Sequence, residues 1–153
     1  MRRFLTIPVL VTLAMPAFAQ APTRDDAKAL VLEAVQYLTK NGRDKFVAEV
    51  AGPKGQFHFQ AGQKKGLYIF VYDEKGTVVA HGVRLELMGK NRWDSKDPDG
   101  KPWVQDWTKL VQAKGSGWVE YKELNPAAGN QLMKKASFVA LHDHLVIGCG
   151  IYQ

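Results

Sequence analysis

The chain has a single cysteine, Cys149, so it cannot form an internal disulfide in any compartment. It has no Cys-x-x-Cys-His sequence, which excludes covalently attached haem. Positive charge exceeds negative by only six in 153 residues, and the basic residues are scattered. Lys64-Lys65 and Lys134-Lys135 are too short to form a polybasic membrane patch or the basic, aromatic-interleaved groove that nucleic acid requires. There is no nucleophile elbow, no cysteine–histidine pair and no carboxylate pair fixed by spacing, so no enzyme motif can be read. His142-Asp143-His144 brings two imidazoles together, but no further ligand is placed beside them, and no metal site is expected. No cofactor is expected either. Repeats and low-complexity tracts are absent.

The longest apolar run, Phe4 to Phe18, falls short of the roughly 20 residues that cross a bilayer, and Pro8 and Pro16 interrupt it. Arg2 and Arg3 precede it and Ala17-Phe18-Ala19 follows, which is the pattern of an export signal. Residues 1–19 are therefore expected to be a signal peptide cleaved before Gln20. Residues 20–153 are long enough for a single domain with a core of its own, placed in the periplasm.

In that domain, Ala27, Leu30, Val31, Ala34, Val35 and Leu38 recur at helical spacing. Thr23 is a suitable N-cap, and Gly42 marks the stop. A shorter helix is expected from Asp44 to Val50, and a first short strand at Phe57-His58-Phe59. From Leu67 the period becomes two: Leu67, Ile69 and Val71 share one face, and Tyr68, Phe70 and Tyr72 the other. Asp73 to Gly76 reads as a hairpin loop leading to a strand from Thr77 to His81, with Tyr72 opposite Thr77, Phe70 opposite Val79 and Tyr68 opposite His81. Gly89 to Pro102 reads as a surface loop, followed by a helix that carries Trp103, Val104, Trp107, Leu110 and Val111 and stops at Gly115. Strands at Trp118–Lys122, Leu132–Leu141 and His144–Tyr152 complete the chain, the last two joined by a turn at His142-Asp143. One antiparallel sheet with helices on its faces buries these stripes most simply, an α+β architecture.

Several segments after Leu67 follow one another in a telling order. Tyr68-Ile69-Phe70-Val71-Tyr72-Asp73-Glu74-Lys75-Gly76-Thr77 leads to Ala80-His81-Gly82 and Gly89-Lys90-Asn91. Asp97-Pro98-Asp99-Gly100-Lys101-Pro102 and Gly115-Ser116-Gly117-Trp118-Val119-Glu120-Tyr121 come next. Asn125-Pro126, Lys135 and Gly148-Cys149-Gly150-Ile151-Tyr152 close the series. As a set they resemble the single Cache domain, second type, of bacterial extracytoplasmic sensors. The resemblance implies a PAS-like antiparallel sheet behind a long N-terminal helix, with a pocket on one sheet face for a small organic molecule, often a short carboxylate. It also implies signal transduction, here by a sensor module without kinase or methyl-accepting helices that passes its signal to a membrane-bound sensor or transporter partner. Phe138 stands where the family often has tyrosine and Ala128 where threonine is frequent, so a phenolic donor near the pocket is expected to be missing.

The residues themselves also suggest a pocket. With the last turn at His142-Asp143, Lys135 faces Gly150, Ser137 faces Gly148 and Val139 faces Val146. Two glycines opposite a cationic and a hydroxyl donor leave open space that suits a small carboxylate. Tyr68 and His81 are candidate donors, Phe70 an apolar wall, and Trp103 and Trp118 the tryptophans placed near the ligand. His81 can equally be a structural histidine, and Lys135 a solvated lysine guarding a sheet edge. A second reading is a structural or protein-interaction subunit of an envelope complex with no free ligand; large side chains above Gly148 and Gly150 would favour it. A third is a small hydrolytic or metal-dependent enzyme.

Overall fold

The computed structural model describes residues 21–59, 61–62 and 66–153. The expected signal peptide lies outside the described residues. The first element, α1 (Arg24–Asn41), opens with a capping box: Thr23 Oγ1 accepts the Asp26 N–H, and the Asp26 carboxylate accepts the Thr23 N–H. It ends at Gly42, whose φ of +82° turns the chain directly into α2 (Arg43–Ala51). Ala27, Leu30, Val31, Ala34 and Leu38 are the buried stripe of α1, and Phe46 and Val50 that of α2.

Five antiparallel strands follow: β1 (Phe70–Asp73), β2 (Val78–His81), β3 (Ser116–Asn125), β4 (Gln131–His142) and β5 (Leu145–Tyr152). Their order across the sheet is β2-β1-β5-β4-β3. The third α-helix, α3 (Trp103–Lys114), ends at Gly115 with φ +79°. Helix α1 packs on β4 and β5 from one side, and α3 packs on β3 and β4 from the other.

Two cores result, one per sheet face. Leu67, Ile69, Val71, Phe138, Ile147 and Cys149 meet α1 and α2, so Cys149 is a buried small hydrophobe. Tyr68, Phe70, Tyr72, Val119, Tyr121, Val139 and Val146 meet Trp103, Val104, Trp107 and Val111 of α3. The alternation read from Leu67 to Tyr72 therefore holds, although ladder pairing begins only at Phe70.

Three local expectations are corrected. Phe57-His58-Phe59 is not a strand; the residues lie in turns after Gly52-Pro53-Lys54-Gly55. They still touch the sheet margin, because Phe57 O accepts the Ile69 N–H at 3.1 Å and Phe59 N–H reaches Gly82 O at 3.0 Å. In the first hairpin Phe70 pairs with His81, Val71 with Ala80 and Tyr72 with Val78. Val79 is the extra residue of a β-bulge, which moves the register away from the expected Phe70–Val79 pairing. Asp73 Oδ1 organises that loop by accepting the N–H groups of Lys75 and Thr77 at 2.9 and 2.8 Å.

In the last hairpin the turn residues are Asp143 and His144, with φ of +49° and +58°, the doubly left-handed geometry that a two-residue hairpin favours. The register is shifted by two from the expected one: Lys135 pairs with Tyr152, Ser137 with Gly150 and Val139 with Gly148. β3 and β4 are also longer than expected, with β3 running on to Asn125, whereas β5 starts one residue later, at Leu145, because His144 belongs to the turn.

Candidate ligand site

The α3-facing side of the sheet carries the polar groups. Along β3 the inward residues are Val119, Tyr121 and then Glu123; along β4 they are Lys135, Ser137 and Val139. Lys135 is 1% exposed, so it is not a solvated edge lysine. Its Nζ donates to Glu123 Oε2 and to Tyr68 Oη, each at 2.8 Å. The ammonium also lies over the rings of Tyr68, Tyr152 and Phe70, at 4.9, 5.0 and 5.4 Å from their centroids.

A lysine ammonium can only donate and a backbone carbonyl can only accept, and the Leu124 carbonyl at the far end fixes the sense of the hydroxyl chain between them. Tyr68 Oη accepts from Lys135 and passes its own proton to Tyr152 Oη, 3.2 Å away. Tyr152 in turn donates to Leu124 O at 2.9 Å. Tyr121 and Ser137 form a second hydroxyl pair at 3.0 Å.

Burial works against the Lys135 charge, but the Glu123 carboxylate and the surrounding phenols outweigh it and hold the ammonium well above an ordinary lysine pKa. Burial likewise opposes the Glu123 charge, and Lys135 overcomes it, so the carboxylate stays below its usual range. The pair is ionised. Burial pushes the phenols of Tyr68, Tyr72 and Tyr121 up, so they remain protonated donors.

His81 stacks against Phe70 and tilts over Tyr68. Its Nδ1 accepts the N–H groups of Val83 and Arg84 at 3.3 and 3.0 Å, so Nε2 carries the proton. Burial first, then the Lys135 cation, lowers its pKa to about 3, and the ring stays neutral. These contacts are those of a histidine that ties the end of β2 to the next loop.

Trp103 stacks flat on Tyr121, with centroids 5.5 Å apart, and Arg92 lies over the Trp103 ring at 5.1 Å. Trp107 meets Tyr121 edge-on and stacks on Phe70. Arg92 Nη1 stands 4.0 Å from Glu123 Oε1, too far for a hydrogen bond. Among the described residues, the buried side-chain polar atoms without a hydrogen-bond partner are Arg92 Nη1, Trp103 Nε1 and Trp107 Nε1. All three are donors, and their side chains cluster about Tyr121 and Glu123.

Of the residues singled out from the sequence, Tyr68, Phe70, His81, Trp103, Lys135, Ser137, Gly148 and Gly150 share this face, and Trp118 does not. Trp118 packs edge-on against Phe138 on the α1 side, with Arg24 over its ring at 5.0 Å. Phe138 is on that side too, so the phenolic hydroxyl it lacks would not have reached Lys135. The expected open space over the glycines is filled. A Cβ on Gly148 would collide with the Phe70 ring, and one on Gly150 with Ser137 Oγ and Lys135 Cε.

Sequence reasoning missed Glu123, Tyr121, Tyr152, Arg92 and the unpartnered Trp107 N–H. Strand alternation carried a signal for the first two, since a strand extended past Lys122 puts Glu123 on the face of Tyr121. Arg92 comes from an irregular loop where no period applies. His142 and His144 point to different partners, Thr39 Oγ1 at 2.9 Å and Glu74 Oε2 at 3.0 Å. No group of three metal-ligating side chains occurs among the described residues.

A five-stranded antiparallel sheet, a long capped helix on one face and a polar cluster under a loop and a helix on the other define a PAS-like α+β domain of the ligand-sensing kind. Residues 15–153 match the family model described as Single Cache domain 2. The chain belongs to that family of sensory domains. Among solved structures it is similar to a Cache chemosensory domain reported for carboxylic acid recognition, with 23% identity, TM-score 0.71, and 84% of this chain and 91% of that chain covered. It is also similar to a periplasmic sensor domain of a chemotaxis protein, with 24% identity, TM-score 0.63 and coverages of 84% and 88%. A methyl-accepting chemotaxis protein from Vibrio parahaemolyticus RIMD 2210633 matches with 23% identity, TM-score 0.68 and coverages of 84% and 87%. Among the described residues no helix is long and apolar enough to cross a membrane.

Proposed function

We propose that this protein is an exported, non-enzymatic sensor or accessory domain that binds a short carboxylate on the α3 side of its sheet and signals through a membrane-bound partner. The observation that carries the reading is the set of unpartnered buried groups, Arg92 Nη1, Trp103 Nε1 and Trp107 Nε1. A buried donor without an acceptor costs about 1–3 kcal/mol, so three in one cluster call for a ligand that brings acceptors. A carboxylate does so and gains charge-assisted bonds away from water. An amine brings donors that this site already has in excess. The similarity to a Cache domain reported for carboxylic acid recognition supports the same class.

Lys135 was the donor first expected to meet the ligand, but Glu123 already occupies it. Arg92 is the cation with a hydrogen bond to spare, and we assign the carboxylate to Arg92 and the two indoles. Thermal unfolding against a panel of short carboxylates, amino acids and amines tests this. A ligand at 100 times its Kd adds about 2.7 kcal/mol of stability. A carboxylate is expected to raise Tm, and Arg92→Gln or Trp103→Phe to abolish the shift. A shift given only by amines would refute the donor assignment.

The second reading, an interaction subunit with a filled pocket, is favoured by one observation, the Phe70 ring in the space over Gly148. A panel without any stabilising compound would move the conclusion to it.

A further inference from the structure

We infer that Glu123 sets the specificity of this site by holding its net charge at one positive, which selects monocarboxylates over dicarboxylates. The inference rests on the ligand reading above and goes on to name the ligand's charge.

Three charged side chains form the centre. Lys135 is positive, and its Nζ lies 2.8 Å from Glu123 Oε2. Glu123 is negative, and its other oxygen lies 4.0 Å from Arg92 Nη1. Arg92 is always charged. The remaining nearby groups do not alter the count. His81 is neutral, held so by burial and by its two backbone N–H donors. Arg84 at the rim is matched by Glu86, with Nε 3.1 Å from its carboxylate. Tyr68 and Tyr121 remain protonated, because burial pushes both phenols up.

The sum is one uncompensated positive charge, and it resides on Arg92. One carboxylate neutralises it. A second carboxylate on the same ligand would be buried beside Glu123 with no free cation to meet it, and unpaired buried charge is strongly unfavourable. Lys135 has a positioning role here: by hydrogen-bonding one oxygen of Glu123 it keeps the carboxylate from closing the gap to Arg92. It thereby leaves the guanidinium open to the ligand while adding no net charge.

Isothermal titration of the protein at neutral pH and fixed ionic strength, with acetate and propionate against malonate and succinate, tests the charge rule. The wild type is expected to bind its best monocarboxylate at least tenfold more tightly than either dicarboxylate. Glu123→Gln keeps the shape, raises the site charge by one and is expected to reduce that ratio at least tenfold or invert it. Joining Lys135→Met to Glu123→Gln restores a net charge of one and is expected to restore the preference for monocarboxylates. That double variant also serves if the single variant fails to fold. An unchanged ratio in Glu123→Gln, or a double variant that prefers dicarboxylates, would overturn the inference. A wild type that binds dicarboxylates best would overturn it too, while leaving carboxylate sensing intact. Binding of no carboxylate by the wild type or either variant would remove both.

Discussion

Replacing Lys135 with methionine keeps nearly the same side-chain volume and leaves the largely buried Glu123 carboxylate without its ammonium partner. Breaking a buried pair by deleting one partner costs about 3–5 kcal/mol, because the surviving charge is left without compensation. Arg92 stands 4.0 Å from the other Glu123 oxygen and can take up part of the debt, so the lower figure applies. For a domain of this size about 3 kcal/mol corresponds to a fall in Tm of roughly 12 °C. The pH dependence is the sharper test, because its sign reverses. In the wild type the Glu123 pKa is lowered by folding, so its contribution is present above the ordinary carboxylate range and is lost as pH falls through the lowered value. Lys135, with its raised pKa, contributes fully below the ordinary lysine range and loses that contribution only as pH rises through the raised value. In Lys135→Met the buried carboxylate no longer has its ammonium, and burial raises its pKa above the unfolded value. Its neutral form is then favoured, so the deficit against wild type shrinks on acidification from pH 7 toward the carboxylate range. Urea unfolding of both proteins across that range measures the two slopes. A deficit under about 1 kcal/mol, with parallel pH profiles, would refute the buried ion pair.

Gly148→Ala drives a methyl group against the edge of the Phe70 ring and into contact with Val139, and overpacking of this kind costs about 1–3 kcal/mol. Equilibrium denaturation should show that loss, and Phe70→Leu in the same chain should recover part of it. Thr23→Ala removes the side-chain acceptor of the capping box and should cost about 1 kcal/mol by the same measurement, with no effect on carboxylate binding.

Much of the fold was legible because it rests on periodic burial. The α1 stripe, its Thr23 and Gly42 boundaries and the two-faced alternation at Leu67–Tyr72 each follow from one short stretch of sequence. Register was not legible. It depended on the bulge at Val79 and on Asp143 and His144 both adopting positive φ, and one misplaced turn shifts every cross-strand pair behind it. For the same reason Lys135 was read as facing an empty glycine, whereas it faces Tyr152. Ending β3 at Lys122 hid Glu123, and the charge of the whole site with it. Lys135, Tyr68, His81 and Trp103 could be assigned to one sheet face because strand parity or a helix start placed them. Arg92 was out of reach, since a loop residue 43 positions before Lys135 meets Glu123 only once the chain is folded.

The hydroxyl chain from Lys135 through Tyr68 and Tyr152 to Leu124 O has a consequence for how an event at the site could be felt elsewhere. Each phenol has one proton, and each is committed to the next group, so the chain behaves as a line of set switches rather than as separate contacts. Turning one round requires the next to turn or to lose its partner. Tyr152 also borders, with Ala21 and Pro22, the hollow just ahead of α1. A reorientation that begins at the buried ammonium thus has a hydrogen-bonded route to the segment where the polypeptide enters its longest helix.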